Sequence, residues 1–192
     1  MKSPDESVRF SSKNASSLGR FPGFPTRIHG KSTLSHRVEA SLLQKALLKA
    51  LRQMNQRVVD TLISIADRPG YFEGEMGYEV GIAEGECFNY LDDSEEKRVI
   101  DLVAERGPLP SLDTLIIVKY SVKNGRKHSL RFDWYLARLF FFPGEMEIHL
   151  FHEKGIRRVN PDELIAHVVD ALNKELKVED FPEVKISNMQ TF

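Results

Sequence analysis

The sequence predicts an α+β fold, in which an antiparallel sheet of about four or five strands carries a long N-terminal helix and a C-terminal helix packed on one face. Three observations lead to this prediction. A long apolar stripe with helical spacing follows Ser35, two hairpin turns bracket an apolar segment, and a helix-start signal at residues 160–163 precedes a final apolar stripe. A sheet with one covered face is typical of such a pattern.

The chain of 192 residues divides into three predicted parts. Residues 1–34 are rich in Ser, Gly and Pro and are predicted to form a flexible basic tail. Phe21 and Phe24 could order the second half of that tail by packing into a groove. Residues 35–178 are predicted to form a single α+β domain, and residues 179–192 an extended C-terminal tail.

The first predicted helix runs from an N-cap at Ser35 to a stop signal at residues 67–70. About thirty residues would extend about 45 Å, which is more than a small core can cover. We therefore expect either a break near Asn55 or packing of the stripe against another chain. The candidate oligomer-interface residues on this stripe are Leu43, Leu47, Leu51 and Met54.

Residues 71–83 alternate between apolar side chains and the carboxylates Glu73, Glu75 and Glu79. Such a period of two predicts a half-buried strand with an acidic outer face. Oxygen ligands on one face suit Mg²⁺ or Ca²⁺, so a metal-dependent hydrolase is one functional hypothesis. The spacing matches no metal motif, however, and no catalytic residue, metal ligand or cofactor is predicted.

Residues 113–152 predict a meander of three strands. The turn at residues 123–126 contains Asn-Gly, a strong hairpin signal, and Pro143-Gly144 forms the next turn. Along the central strand, alternation places Trp134 and Phe140 on the covered face. Arg131 and Asp133 fall on the opposite face.

Charge is distributed in patches although the net charge is only −1. A basic cluster surrounds the predicted hairpin turn, and phosphates could bind there together with the basic tail. Nucleic-acid binding is therefore an alternative hypothesis. Its candidate residues are Lys119, Lys123, Arg126, Lys127 and Arg131.

Composition limits the class of protein further. No run of 18 apolar residues is present, so neither a membrane-spanning helix nor a membrane partner is predicted. The single cysteine indicates a reducing compartment, and we expect a cytoplasmic protein. The leading hypothesis is a non-catalytic interaction protein that binds a protein partner, or itself as a homodimer, through the long helix and a sheet edge.

Overall fold

The computed structural model describes residues 17–55, 57–65, 68–124, 126–130 and 132–192. These residues form three helices and nine strands. The helices are α1 (Ala40–Met54), α2 (Asp93–Arg106) and α3 (Pro161–Val178). The strands are β1 (Gly30–Ser35), β2 (Val58–Ile65), β3 (Arg68–Glu84), β4 (Cys87–Tyr90), β5 (Ser111–Asn124), β6 (Arg126–Ser129), β7 (Asp133–Phe142), β8 (Glu145–Lys154) and β9 (Lys185–Thr191).

All nine strands belong to one curled sheet in the order β2-β3-β5-β7-β8-β1-β9. In addition, the short strand β4 pairs with β3, and the short strand β6 pairs with β5. The pairings are antiparallel, which confirms the predicted antiparallel sheet. Helices α1 and α3 pack on each other, and their buried residues join those of the sheet in one core. Within the described ranges, no helix is long and apolar enough to cross a membrane.

The predicted fold class is wrong in the size of its sheet. Four or five strands were expected, but β1, β2 and β9 extend the sheet at its two ends, and β4 and β6 are added as short hairpin partners. Each of these strands is only four to eight residues long. Short or polar segments such as Lys185–Thr191 carry little of the alternation from which strands are predicted.

The long N-terminal helix is also wrong. Helix α1 ends at Met54, and after Arg57 the chain continues as strand β2, which pairs with β3. Apolar residues such as Val58 and Leu62 fit a helical stripe by spacing alone. The β-branched run beginning at Val58-Val59 favours a strand instead, because such side chains pack well on a pleated surface.

The central strand of the meander is interrupted, which reverses the predicted faces. Strand β6 ends at Ser129 and β7 begins at Asp133, so alternation counted through the intervening residues does not hold. Asp133 and Tyr135 are fully buried on the concave face. Trp134, predicted to be inward, is half-buried on the other face.

The segment before β1 packs across the outside of the sheet. The buried carboxylate of Asp113 accepts a hydrogen bond from Phe21 N at 2.7 Å and forms an ion pair with Arg138. The Arg138 guanidinium lies 4.3 Å from the centre of the Phe24 ring. Both phenylalanines therefore contact the sheet, and the boundary drawn at residue 34 falls inside β1.

Candidate functional site

A groove separates the edge strand β2 from helix α3. A depression of about 490 Å³ lies between the two, and a second of about 540 Å³ continues along α3 towards the end of α1. The first is lined on the strand side by Val59, Thr61 and Ile63 and on the helix side by Asn160, Glu163 and His167. The second is lined by the end of α1, by Arg57, and by Ala171 and Lys174 of α3.

The two walls of the groove run in opposite directions. Arg57, just before β2, shares a depression with Lys174, whereas Ser64 near the end of β2 shares one with Asn160. Residues 160, 163, 167, 171 and 174 follow at steps of three or four, so they form one face of α3 about 21 Å long. The stretch of β2 from residue 58 to residue 64 is about 20 Å long. The part of this face from residue 160 to residue 167 lies opposite β2, and residues 171 and 174 lie opposite Arg57 and the end of α1.

Among the described residues, strand β2 ends the sheet and pairs only with β3. Its register is regular from Val58↔Gly77 to Ser64↔Tyr71. An edge strand presents unpaired backbone N–H and C=O groups along its free side. Val58 and Leu62 are 62% and 65% exposed, so the edge also presents apolar side chains to solvent.

The groove floor contains a hydrogen bond between the sheet and α3. The Tyr78 hydroxyl lies 2.6 Å from His167 Nδ1. Burial and the nearby Arg57 charge lower the pKa of His167, so its imidazole is neutral at neutral pH. Burial raises the pKa of Tyr78, which keeps the hydroxyl protonated. A neutral pair of this kind fixes α3 against β3 without a buried charge.

The N-terminal end of α3 is held by the carboxylate of Asp133. Its Oδ2 accepts hydrogen bonds from the Tyr120 hydroxyl and Arg158 N, and its Oδ1 accepts one from Arg157 N, each at 2.7 Å. Burial alone would raise the pKa of Asp133, but these hydrogen bonds outweigh it and hold the pKa below its usual range. The buried residue is therefore an ionised anchor for the loop before α3.

That loop has an unusual backbone. Gly155 has φ +118°, and a Cβ at this position would overlap Oδ1 of Asp133. Arg157 has φ 58°, a conformation that costs energy in a residue other than glycine. The resulting path places the Arg158 guanidinium 5.2 Å from the centre of the Tyr120 ring, at the wall of the groove.

The two ends of the groove differ in charge. In the second depression Arg52 is engaged by Asp93 and Glu96 of α2. Arg57 and Lys174 have no ion-pair partner among the described residues. The first depression is instead lined by one cation, Arg158, and by the exposed carboxylate of Glu163, one oxygen of which accepts a hydrogen bond from Asn160 N at 3.0 Å.

The structure places the candidate oligomer-interface residues in the interior. At most 2% of the surface of any of them is exposed, and all pack into the core of their own chain. They therefore offer no surface to a second chain. They are Leu43, Leu47, Leu51 and Met54.

The basic residues are brought together only in part. Strands β5 and β6 form the predicted hairpin, with Lys123 opposite Lys127 and Asn124 opposite Arg126. The side chains of these residues, and all of Arg131, lie outside the described part of the chain. Lys119 forms an ion pair with Glu79 and lies 5.6 Å from the centre of the Phe132 ring.

The acidic strand forms the outer surface of β3. Glu75 lies opposite Asp60 of β2, and Glu73 lies opposite Leu62. The carboxylate of Glu79 forms an ion pair with Lys119. Over the described ranges, no group of three His, Cys, Asp or Glu side chains is placed to hold a metal ion.

Sequence reasoning missed the groove because it assigned residues 58–65 to a helix. The sequence did contain a signal for a strand at residues 58–65, namely the β-branched residues Val58, Val59 and Thr61, followed by Ile63. The helix start predicted at residues 160–163 is correct for α3, but helical spacing does not reveal which strand faces the helix.

We compared the chain with protein-family models, curated proteins and solved structures, and found no match. The groove is accordingly interpreted from its own residues. Its distinguishing features are a strand edge with no partner among the described residues, a facing helix, and an excess of positive charge at the end that contains Arg57 and Lys174.

Proposed function

We propose that this chain is a non-catalytic interaction protein that binds an extended segment of a protein partner as an added strand on β2. The observation that carries the proposal is the groove, which has an unpaired sheet edge on one side and a helix on the other. An extended peptide laid along such an edge satisfies the backbone groups of both chains.

The side chains bordering β2 fit this mode of binding. Those of an added strand alternate between two sides, since successive residues of a strand point in opposite directions. One set enters the groove over Val59, Ile63 and Met76. The other set lies beside the exposed Val58 and Leu62 on the outer surface. Both sides therefore favour apolar residues in the partner.

The polar groups below the groove support a binding role because their hydrogen bonds fix the positions of the groove walls. Asp133 anchors the loop before α3, and Tyr78 bonds His167 across the floor. A preformed site of this kind avoids part of the ordering cost of binding. The contacts of the apolar face of α1, by contrast, lie inside its own chain, so the sheet edge rather than the helix is the proposed binding surface.

The test uses fluorescein-labelled peptides of eight residues in which apolar residues alternate with threonine. Binding is measured by fluorescence anisotropy. We expect saturable binding to the native protein, and a loss of about tenfold in affinity for Leu62→Lys, which removes apolar contact at the edge. A peptide with central prolines, which cannot donate backbone hydrogen bonds, should not bind.

The matched control is Ile186→Lys, which makes the same change on the edge strand at the opposite end of the sheet. It should leave affinity within about twofold, a change below about 0.5 kcal/mol. Equal binding by proline-containing peptides, or equal losses in both variants, would refute strand addition at β2. The alternative is that a second copy of the chain occupies the edge of β2. Light scattering of the protein alone tests this, because a dimer that Leu62→Lys abolishes would show that the second copy, and not a partner segment, binds there.

A further inference from the structure

We propose that the groove also selects the direction and charge of its partner: the bound segment runs antiparallel to β2 and carries a carboxylate at its C-terminal end, held by Arg57 and Lys174. The inference rests on the proposed function, because it concerns a strand added to β2. It goes further in assigning a role to the unequal ends of the groove.

Direction follows from the geometry of pairing. Antiparallel strands make straight hydrogen bonds and pair somewhat more stably than parallel ones. Strand β2 runs from the depression containing Arg57 and Lys174 towards the one containing Asn160 and Glu163. An antiparallel segment therefore enters beside Glu163 and ends beside Lys174.

Charge complementarity then determines the chemistry of that C-terminal end. Arg57 and Lys174 border the same depression, and neither is neutralised by an acidic side chain within the described residues. Arg52 beside them shows the contrast, since Asp93 and Glu96 already bind its guanidinium. A carboxylate on the segment would supply the missing counter-charge for two cations.

The other end of the groove lacks this excess of positive charge. Arg158 and Glu163 both line it, and the Arg158 guanidinium lies 5.2 Å from the centre of the Tyr120 ring. A segment inserted in the reverse direction would bring its carboxylate to this mixed site, beside the exposed carboxylate of Glu163. The difference in net charge between the two ends therefore favours the antiparallel direction.

Two sources can supply the carboxylate, namely an Asp or Glu side chain and the C-terminus of the partner. Four labelled peptides with one apolar-threonine core separate them. They end in Asp with an amidated terminus, in Asn with a free terminus, in Asn with an amidated terminus, and in Lys with an amidated terminus. A fifth peptide reverses the order of the Asp-ended sequence.

We expect one or both carboxylate peptides to bind about fivefold more tightly than the neutral peptide, with the reversed peptide weaker. The difference should shrink as salt is added. In the double variant Arg57→Glu/Lys174→Glu the preference should reverse, so that the Lys-ended peptide binds best. The control Lys185→Glu reverses a single charge on β9, away from the groove, and should leave the order unchanged.

The outcomes distinguish the two proposals. If no peptide binds the native protein, strand addition itself is wrong. If peptides bind and Leu62→Lys weakens all of them, but the carboxylate, neutral and reversed peptides bind equally, strand addition stands and this inference fails. A charge preference that persists in the double variant would also overturn it, because the carboxylate would then be held elsewhere.

Discussion

The sheet ends in two edge strands, β2 and β9, and they are protected very differently. Strand β9 has a register shift against β1, where Thr33 pairs with Asn188 and Leu34 with Ile186. The skipped residue, Ser187, donates its hydroxyl hydrogen bond to Thr33 O. A bulge of this kind disrupts the edge as a template for another strand, and Lys185 adds a charge.

Strand β2 has no such bulge before Ser64, although it carries one charged residue. Its pairing with β3 is regular until Ser64, and Val58 and Leu62 project from it into solvent. A single acid, Asp60, stands between them. The comparison indicates that a bulge disturbs pairing at one edge, while the other keeps a regular register and exposed apolar side chains.

The largest expected effect is on the anchor that holds the helix opposite β2. Asp133→Ala would leave the Tyr120 hydroxyl and two backbone N–H groups buried without their acceptor. We expect a loss of about 3–5 kcal/mol in unfolding free energy, measured by urea denaturation. Peptide binding should fall with it, because the loop before α3 loses its support.

The control is Asp162→Ala, a partly buried acid in the first turn of α3, which should cost less than about 1 kcal/mol. Similar losses in the two variants would show that Asp133 is not the anchor. Hydrogen exchange adds a spatial check. The amides of Arg157 and Arg158 should lose protection in Asp133→Ala, while those of β9 should change less than these two.

An intermediate effect should separate the two sides of β2. Ile63 is 3% exposed and Leu62 is 65% exposed, although they are adjacent. Ile63→Ala should lower the unfolding free energy by about 2–4 kcal/mol through loss of core packing. Leu62→Ala should change it by less than about 0.5 kcal/mol and weaken only peptide binding. Equal destabilisation would mean that Leu62 serves the core and that the edge is not a free surface.

The smallest effect concerns acid pH and the Tyr78–His167 contact. Because burial lowers the folded-state pKa of His167 below its value of 6.5 in the unfolded chain, the unfolded state binds protons more readily. This contribution is therefore complete above pH 6.5 and is lost as the pH falls below it. Urea denaturation between pH 7.5 and 5.5 should show a decrease in the unfolding free energy as the pH falls. His167 should contribute less than about 1 kcal/mol to this decrease.

His167→Gln is the corresponding control and should flatten part of that pH dependence. Burial also lowers the pKa of His29, which lies beside β1, so a remaining slope of the same sign is expected. His29→Gln measures that share. An unchanged slope in His167→Gln would show that protonation of the groove histidine does not affect folding.

Local signals explain which parts of the fold could be predicted. The hairpin turn around Asn124, the turn at Pro143-Gly144 and the start of α3 at Pro161 all depend on neighbouring residues, and the structure confirms each. Turn and cap preferences act over only a few residues, so they can be read directly from the chain.

The groove could not be predicted in the same way. Strand β2 and helix α3 are about a hundred residues apart in sequence, and only the curl of the sheet brings them face to face. The apolar residues from Val58 onward also fit both the helical spacing of three or four and the strand spacing of two. In addition, no glycine or proline separates Met54 from Val58 to mark the end of the helix. Asp133 was misplaced for a third reason, since a loop shifts the alternation just before it.

The close approach of Gly155 to Asp133 also bears on how this sequence can change over time. Any side chain at position 155 would displace the carboxylate from the backbone groups that it holds. The same Cβ would lie 2.5 Å from Phe132 O and 2.8 Å from Asp133 Cα, which are backbone atoms that no substitution at position 133 removes. In descendants of this chain, we therefore expect glycine to be kept at position 155, even where the remainder of the loop has diverged.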